Sequence, residues 1–284
     1  MSAVQVRRMT EADVVDAVSV AGAAFQKDLT SQKTRAKWEW RLRYLLQTDP
    51  QGSFVTEHDG QVVGVAQAII RERLWILSLL TVSPTLERPG GGDGRALVNA
   101  TLAYDRDTTA GIIIASNDPK ALRLYGSSGF ALTPVFEARG KLDASRIPAL
   151  HPDITEVPPE AFDTLAPISR AVRGAAHGDD LGVALNQGGT VFRLQDRGFV
   201  VAIPGRGVWA LAALDEQAAT ALLWHGLDHV KDDAECEIGF ITGAQQWALE
   251  VLLAVRLPFE SRGAIAVRGN PGPLTPYIPT PPMA

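Results

Sequence analysis

Residues 73–102 read RLWILSLLTVSPTLERPGGGDGRALVNATL. An apolar, strand-like run ends at Pro84, the glycines Gly90, Gly91, Gly92 and Gly94 follow, and an alanine-leucine helix begins directly after them. Glycine loses more conformational entropy on folding than any other residue, so such a run costs stability unless the bare backbone has a task. Two tasks are open. One is a flexible surface turn ahead of a helix. The other is a loop whose N–H groups, together with the helix N-terminus, wrap an anionic phosphate. A strand–loop–helix connection is the context in which phosphate binding is credible. The run is no P-loop, because no Gly-Lys-Ser/Thr closes it, and no dinucleotide fingerprint, because the third glycine counted from Gly90 would fall on Arg95. With neither a kinase lysine nor a metal-binding acid beside it, nucleotide hydrolysis lacks support.

Outward from this loop, the first half alternates strand and helix. VQVRRMT alternates as a strand, and TEADVVDAVSVAGAAF continues as an amphipathic helix with Thr10 placed to cap it. TSQKTRAKWEWRLRYLLQ is a second helix opened by Thr30 or Ser31. GSFVTEHDGQVVGVAQAII is a hairpin turning at Asp59-Gly60. Beyond the loop come the helix GRALVNATLAYDRD, the strand AGIIIAS, the helix DPKALRLYGSSG, and two short strands within FALTPVFEARGKL. The expected class is α/β with a mixed sheet flanked by helices.

The whole chain narrows the function. Its 284 residues suffice for one large domain or two ordinary ones. Hydrophobic residues make up 46% and charged ones 21%, a soluble balance. Lys and Arg total 27 against 32 Asp and Glu, a net charge of −5 without a long basic run, which argues against nucleic acid as a partner. The sole cysteine, Cys236, lies in apolar-flanked ECEIGFI and reads as a buried strand thiol. The opening residues lack a signal-peptide core and LWILSLLTV is too short to span a bilayer, so a cytoplasmic, membrane-free protein is expected. His225 and His229 sit four apart on a helix, but no third ligand stands with them, and no metal is expected.

Two motifs together resemble the GNAT acetyltransferase superfamily over roughly residues 4 to 143. The family's V-x-P, then Q/R-x-x-G-x-G/A, lies on Val82, Pro84 and the stretch Arg88 to Gly94, with Gly92, Gly94 and Leu97 in the G-x-G-x-x-L register. Arg88 stands four residues before Gly92 rather than three, where Pro89 lies, so the loop is longer than the commonest form. The second motif, SNDPKALRLYGSSGF, resembles N-x-x-A-x-x-L-Y-x-x-x-G-F on Asn117, Ala121, Leu124, Tyr125, Gly129 and Phe130.

The resemblance implies acetyl-CoA as cosubstrate, its pyrophosphate on amides of Arg88, Gly90, Gly91, Gly92, Asp93, Gly94 and Arg95. Leu80 and Val82 would also belong to the coenzyme site, and the Asn117 side chain would hold the pantetheine arm. Tyr125 would protonate the departing thiolate, against the plainer reading of an aromatic on a buried helix face. A splayed strand around Leu79 to Val82 would offer an N–H to the thioester carbonyl. Transfer to an amine would then be direct, with no covalent enzyme intermediate. Glu39, Glu57 and His58 qualify as general bases by rough position only. Asp93 would repel phosphate unless it points outward, where a helix start favours it. On the second helix Trp38, Leu42 and Leu45 share one face and Trp40 and Tyr44 another. One face is core, and the other lines an acceptor pocket or is itself covered.

The second half echoes the first. PPEAFDTLAPISRAVRGAA answers the first helix, GTVFRLQDRGFVVAIPG the hairpin, and CEIGFITGAQQWALEVLLAVRLPFE the strand–helix–strand around Tyr125. Aligning Phe259 with Phe130 sets Ala254 opposite Tyr125 and Pro258 opposite Gly129, and no glycine loop precedes TALLWHGLDHV. The expectation is two tandem GNAT-like domains, 1–147 catalytic and 148–284 degenerate, parted near RIPALHPDIT. The proline-rich end, RGNPGPLTPYIPTPPMA, reads as a strap anchored by Tyr277 and Ile278 or as a polyproline ligand. An N-acetyltransferase acting on a small-molecule or peptide amine is one function; a non-catalytic acyl-CoA sensor is the alternative. Monomer and homodimer both stay open.

Overall fold

Thr10 ends the first strand and opens the first helix. The Asp13 carboxylate takes the Thr10 N–H at 2.7 Å and the Thr10 hydroxyl at 2.8 Å, closing the turn on itself. Arg7 grips the same carboxylate through two guanidinium nitrogens, at 2.8 and 2.7 Å. The Arg7 hydrogen bonds outweigh burial and hold the Asp13 pKa down from 3.8 to about 2. A depressed carboxylate contributes stability that is whole above its unfolded pKa and is lost as pH falls through its folded one. Asp13→Asn is expected to remove about 2 kcal/mol of unfolding free energy at neutral pH. In urea titrations the gap to the parent chain should close between about pH 4 and about pH 2. A gap that stays constant across that window would show that the charge plays no part.

The computed structural model describes residues 4–85, 91–104, 107–233 and 235–284. The chain divides into two compact units, residues 1–70 with 75–108, and residues 71–74 with 109–284.

The first unit runs β1 (Gln5–Arg8), α1 (Val14–Ala24), α2 (Gln32–Thr48), β2 (Ser53–His58), β3 (Gln61–Arg71), β4 (Leu74–Val82) and α3 (Asp93–Ala103), with the strands in sheet order β1-β2-β3-β4. Asp59 and Gly60 both take positive φ, 50° and 77°, which is the twist a two-residue hairpin needs between β2 and β3. Ser31 precedes α2 as its N-cap residue, as expected. One side of the sheet buries Val55, Val65 and Leu79 beneath Val14, Val18 and Leu42 of α1 and α2. The other buries Phe54 and Ala66 against Leu97 of α3. Of the two aromatic faces of α2, Leu42 and Leu45 form the core, while Trp40 is 36% exposed and stacks on Tyr44 at 5.5 Å.

The second unit continues with β5 (Ala110–Ala115), α4 (Pro119–Ser127), β6 (Ala131–Gly140), β7 (Ile154–Glu156), α5 (Ala166–Arg173), α6 (Gly182–Leu185), β8 (Thr190–Leu194), β9 (Gly198–Ile203), β10 (Gly207–Ala213), α7 (Glu216–His229), β11 (Cys236–Thr242), α8 (Gln246–Ala254), β12 (Phe259–Gly269) and β13 (Tyr277–Ile278). One strand set runs β5-β12-β6-β11 and the other β13-β10-β9-β8-β7. β12, from the far end of the chain, thus lies between β5 and β6, antiparallel to both. β6 in turn pairs β11. The two halves of the chain interleave a strand each.

Residues 131–140 form one strand, not the two short ones expected within FALTPVFEARGKL. The β11 ladder covers only Val135 to Gly140, so Pro134 falls beyond its end, where a missing N–H costs no bond on that side. The tail is a strap: Tyr277 and Ile278 are buried and pair with Ala212 and Leu211 of β10. Cys236 is buried on β11, and desolvation, aided by the Asp233 charge, pushes its thiol up to about 12. No helix among the described residues is long and apolar enough to cross a membrane.

Candidate active site

The first unit holds one group of the expected site residues, at the end of β4 and the start of α3. Leu80 and Val82 turn their side chains to Leu97 of α3. Trp75 faces α3 as well, donating its indole N–H to the Thr101 carbonyl at 3.0 Å. Leu79 faces α1 and α2. Trp75 and Leu80 are five residues apart, so strict alternation would put them on opposite faces; β4 therefore slips by one residue between them, as a bulge does. Within that stretch the Ser78 carbonyl accepts from Arg41 Nη2 of α2 at 2.8 Å.

Gly92 precedes α3 with φ 77° and ψ 0°, a left-handed conformation that suits glycine. Having no side chain, it gives α3 no side-chain cap. Asp93 starts the helix one residue earlier than expected, with Gly94 and Arg95 after it in the first turn. The Asp93 side chain does not point outward. It is 5% exposed and meets His58 Nε2 at 3.0 Å, so the imidazole occupies the carboxylate that would oppose a phosphate. Arg88 and Gly90 lie outside the described residues. All three general-base candidates are engaged: Glu39 with Arg43 at 3.0 Å, Glu57 with Arg7 at 2.8 Å, and His58 with Asp93.

The second unit holds the other group, on the connection from β5 through α4. Asn117 is exposed just beyond β5, and its Nδ2 donates to the Ser261 carbonyl of β12 at 2.8 Å, leaving the amide oxygen as acceptor. Asp118 caps α4 by accepting from Lys120 N at 2.9 Å, and Pro119 fits the first helical position. The helix ends in a Schellman motif: Phe130 N donates to Tyr125 O at 3.2 Å, Gly129 N to Gly126 O at 3.2 Å, and Gly129 takes φ 87°. The glycine and phenylalanine of the Tyr125 motif are thus what turns the chain from α4 into β6. Tyr125 itself is 5% exposed, and its hydroxyl has no hydrogen-bond partner among the described residues. Burial, with Asp118 adding its charge, raises its pKa well above that of an ordinary phenol. It is a fully protonated donor at neutral pH.

The second half builds the same elements without these groups. Its Schellman turn uses Arg256 at φ 61°, with Leu257 N donating to Leu252 O at 3.1 Å. The structural counterpart of Tyr125 is therefore Leu252 rather than Ala254, and that of Gly129 is Arg256 rather than Pro258. The shift of two arises because Leu257, not Phe259, holds the place of Phe130 in the turn. Leu252 is fully buried and carries no proton. At the counterpart of the glycine loop, Asp215 caps α7 by accepting from Ala218 N at 2.8 Å, and Arg197 holds that carboxylate at 2.7 Å.

The family model for the Acetyltransferase (GNAT) family matches residues 20–130. The chain carries a GNAT acetyltransferase domain. The matched family is one of acyl-CoA-dependent acetyl transfer. Among solved structures, a Pyrococcus horikoshii protein described as a candidate acetyltransferase is similar with TM-score 0.79 and 16% identity, over 99% of this chain and 95% of its own. A GCN5-related N-acetyltransferase from Sphaerobacter thermophilus has TM-score 0.61 and 16% identity, over 95% and 96%. A tandem GNAT protein from the clavulanic acid biosynthesis pathway has TM-score 0.56 and 14% identity, over 94% and 98%. At such identities the likeness is one of fold, and it extends the GNAT architecture over the whole chain in tandem form. No curated protein sequence matches this chain. Among the described residues no group of three His, Cys, Asp or Glu could hold a metal ion. His225 and His229 instead lie edge-on to Phe192, at 4.5 and 5.0 Å.

Proposed function

We propose that this chain moves an acetyl group from acetyl-CoA to a primary amine of a small molecule or peptide, by direct attack in its first GNAT repeat, residues 1–147. The observation that carries the reading is Gly92, held left-handed as the side-chain-free residue before α3, while Asp93 is drawn off by His58. Such a helix N-terminus takes an anionic pyrophosphate on bare amides. The β4 slip supports a strand N–H turned toward the thioester carbonyl, where it would stabilise developing negative charge. Attack of the neutral amine on that carbonyl forms the amide and breaks the carbon–sulfur bond; the proton the nitrogen sheds passes to solvent, and Tyr125 gives its own proton to the departing sulfur and is reprotonated from solvent. Cys236, buried with its thiol pKa near 12, suits no acyl-enzyme. The test is thiol release from acetyl-CoA against a broad panel of amines. Turnover with at least one amine is expected; coenzyme binding without turnover on any of them would favour an acyl-CoA sensor.

The second repeat, residues 148–284, has in this reading no coenzyme site. Asp215 already fills the α7 N-terminus with a carboxylate, and Leu252 has no proton to give. Titration calorimetry with coenzyme A is expected to give one site per chain. Two sites of similar affinity would contradict the assignment.

A further inference from the structure

The second repeat nonetheless has a groove of its own, of about 720 Å³, between α7 and α8 with residues 149–151 as its third wall. That volume suits a small organic molecule, for which pockets of roughly 300–1,000 Å³ are usual. Its lining on α7 comes from positions 216, 217, 220, 221 and 224, and on α8 from 246, 247, 250 and 251. Each set is a single stripe of a helix, so two continuous helical faces look across the same space. The aromatic surface is Trp224 and Trp247. Trp247 is packed into the core beneath, while Trp224 is only partly buried and presents ring surface at the wall. The charge is Glu216 on one helix and Glu250 on the other, both exposed. Neither carboxylate has an ion-pair partner among the described residues, and no Lys or Arg lines the groove.

We infer that this groove binds an organic cation, an ammonium group on an apolar or aromatic body. Two carboxylates on opposing walls attract the ammonium, and indole faces take both the cation and the body. Phosphate-bearing ligands, coenzyme A among them, meet two negative charges here and none that is fixed positive. Glu216 has a helix-level explanation, being in the first turn of α7 where an acid suits the dipole. Glu250 has none: it lies mid-helix in α8 and faces the groove.

The test is calorimetric titration of the full chain, without coenzyme, by phenethylammonium at neutral pH and low salt, with 2-phenylethanol as the uncharged counterpart. Saturable binding of the cation and little of the alcohol is expected. The double variant Glu216→Gln with Glu250→Gln should bind about tenfold more weakly, and added salt should weaken the parent chain in the same direction. Trp224→Ala should weaken both. The two glutamates are exposed, so the double variant should keep its thermal midpoint. Unchanged affinity in the double variant, equal binding of the alcohol, or no saturable binding at all would each overturn the site. Because no acetyl donor is present, these outcomes leave the acetyl-transfer reading untouched, and failure of amine turnover leaves this one untouched.

Discussion

Tyr125→Phe is expected to lower turnover about a hundredfold with coenzyme affinity little changed, a loss of about 2.7 kcal/mol of transition-state free energy. The substitution removes one oxygen from a ring that is 5% exposed and whose hydroxyl bonds to no described residue. Packing should therefore survive, and the thermal midpoint should stay near that of the parent chain. The size of the effect follows from the leaving group. Positioned acid catalysis contributes about a hundred- to ten-thousand-fold. A thiolate whose conjugate acid has a pKa of about 8.5 leaves tolerably unaided, which argues for the lower end. Burial raises the Tyr125 pKa above the ordinary 10.0, so the phenol remains loaded across the accessible range. The alkaline limb of kcat, where one is found, should then lie above about pH 10 in the parent chain. Near-normal turnover in the variant would return Tyr125 to the plainer role of a core aromatic, and the coenzyme assignment would rest on Gly92 and Asn117.

Local order was legible in the sequence because local rules set it. Thr10 and Asp59-Gly60 announce a helix start and a turn by residue type alone, and both stand where expected. The strap at Tyr277 and Ile278 was readable from its apolar pair among prolines. What could not be read is pairing over long separations. Nothing local in residues 259–269 states that they enter between β5 and β6, because the partners of Val267, Ile112 and Ala131, lie more than a hundred positions away. That interleaving places β5 and β6 in the second compact unit, which begins in earnest at residue 109. Residues 131–140 stay one strand across Pro134 because a proline forbids pairing only on the side where its N–H is needed.

The candidate site divides in the same way. Gly92, Asn117 and Tyr125 stand out because the chemistry demands unusual residue types at fixed spacing. The residues that serve them were not visible. Arg41 on the Ser78 carbonyl, His58 on Asp93 and the Ser261 carbonyl on Asn117 join positions 37, 35 and 144 apart. His58 had been readable only as a weak base candidate. Its role as the partner of Asp93 needs the hairpin end and the helix start brought together, which no spacing rule supplies. The repeat alignment failed by two residues for a different cause. Arg256 takes the left-handed turn that Gly129 takes in the first repeat, and arginine carries no compositional mark of that conformation.

Gly92→Val is expected to weaken coenzyme A binding by roughly ten- to a hundredfold, the second of the two large effects. The argument begins with φ 77° and ψ 0° at the residue before α3. A β-branched side chain held in a left-handed conformation costs about 1–3 kcal/mol. The chain can relieve that cost only by turning Gly92 back to negative φ, which swings the loop away and re-aims the first amides of α3. Either response removes close backbone approach to a phosphate, the one service a side-chain-free residue offers there. Gly92→Asn separates the two components, since asparagine tolerates the left-handed region yet still adds a side chain. If strain dominates, the asparagine variant should bind nearly as the parent does; if crowding of the phosphate dominates, both variants should fall together. The measurement is calorimetric titration with coenzyme A at low temperature, where circular dichroism verifies that each variant is folded. A folded Gly92→Val chain with parental affinity would remove α3 from the coenzyme site, because no amide cradle survives that substitution unchanged.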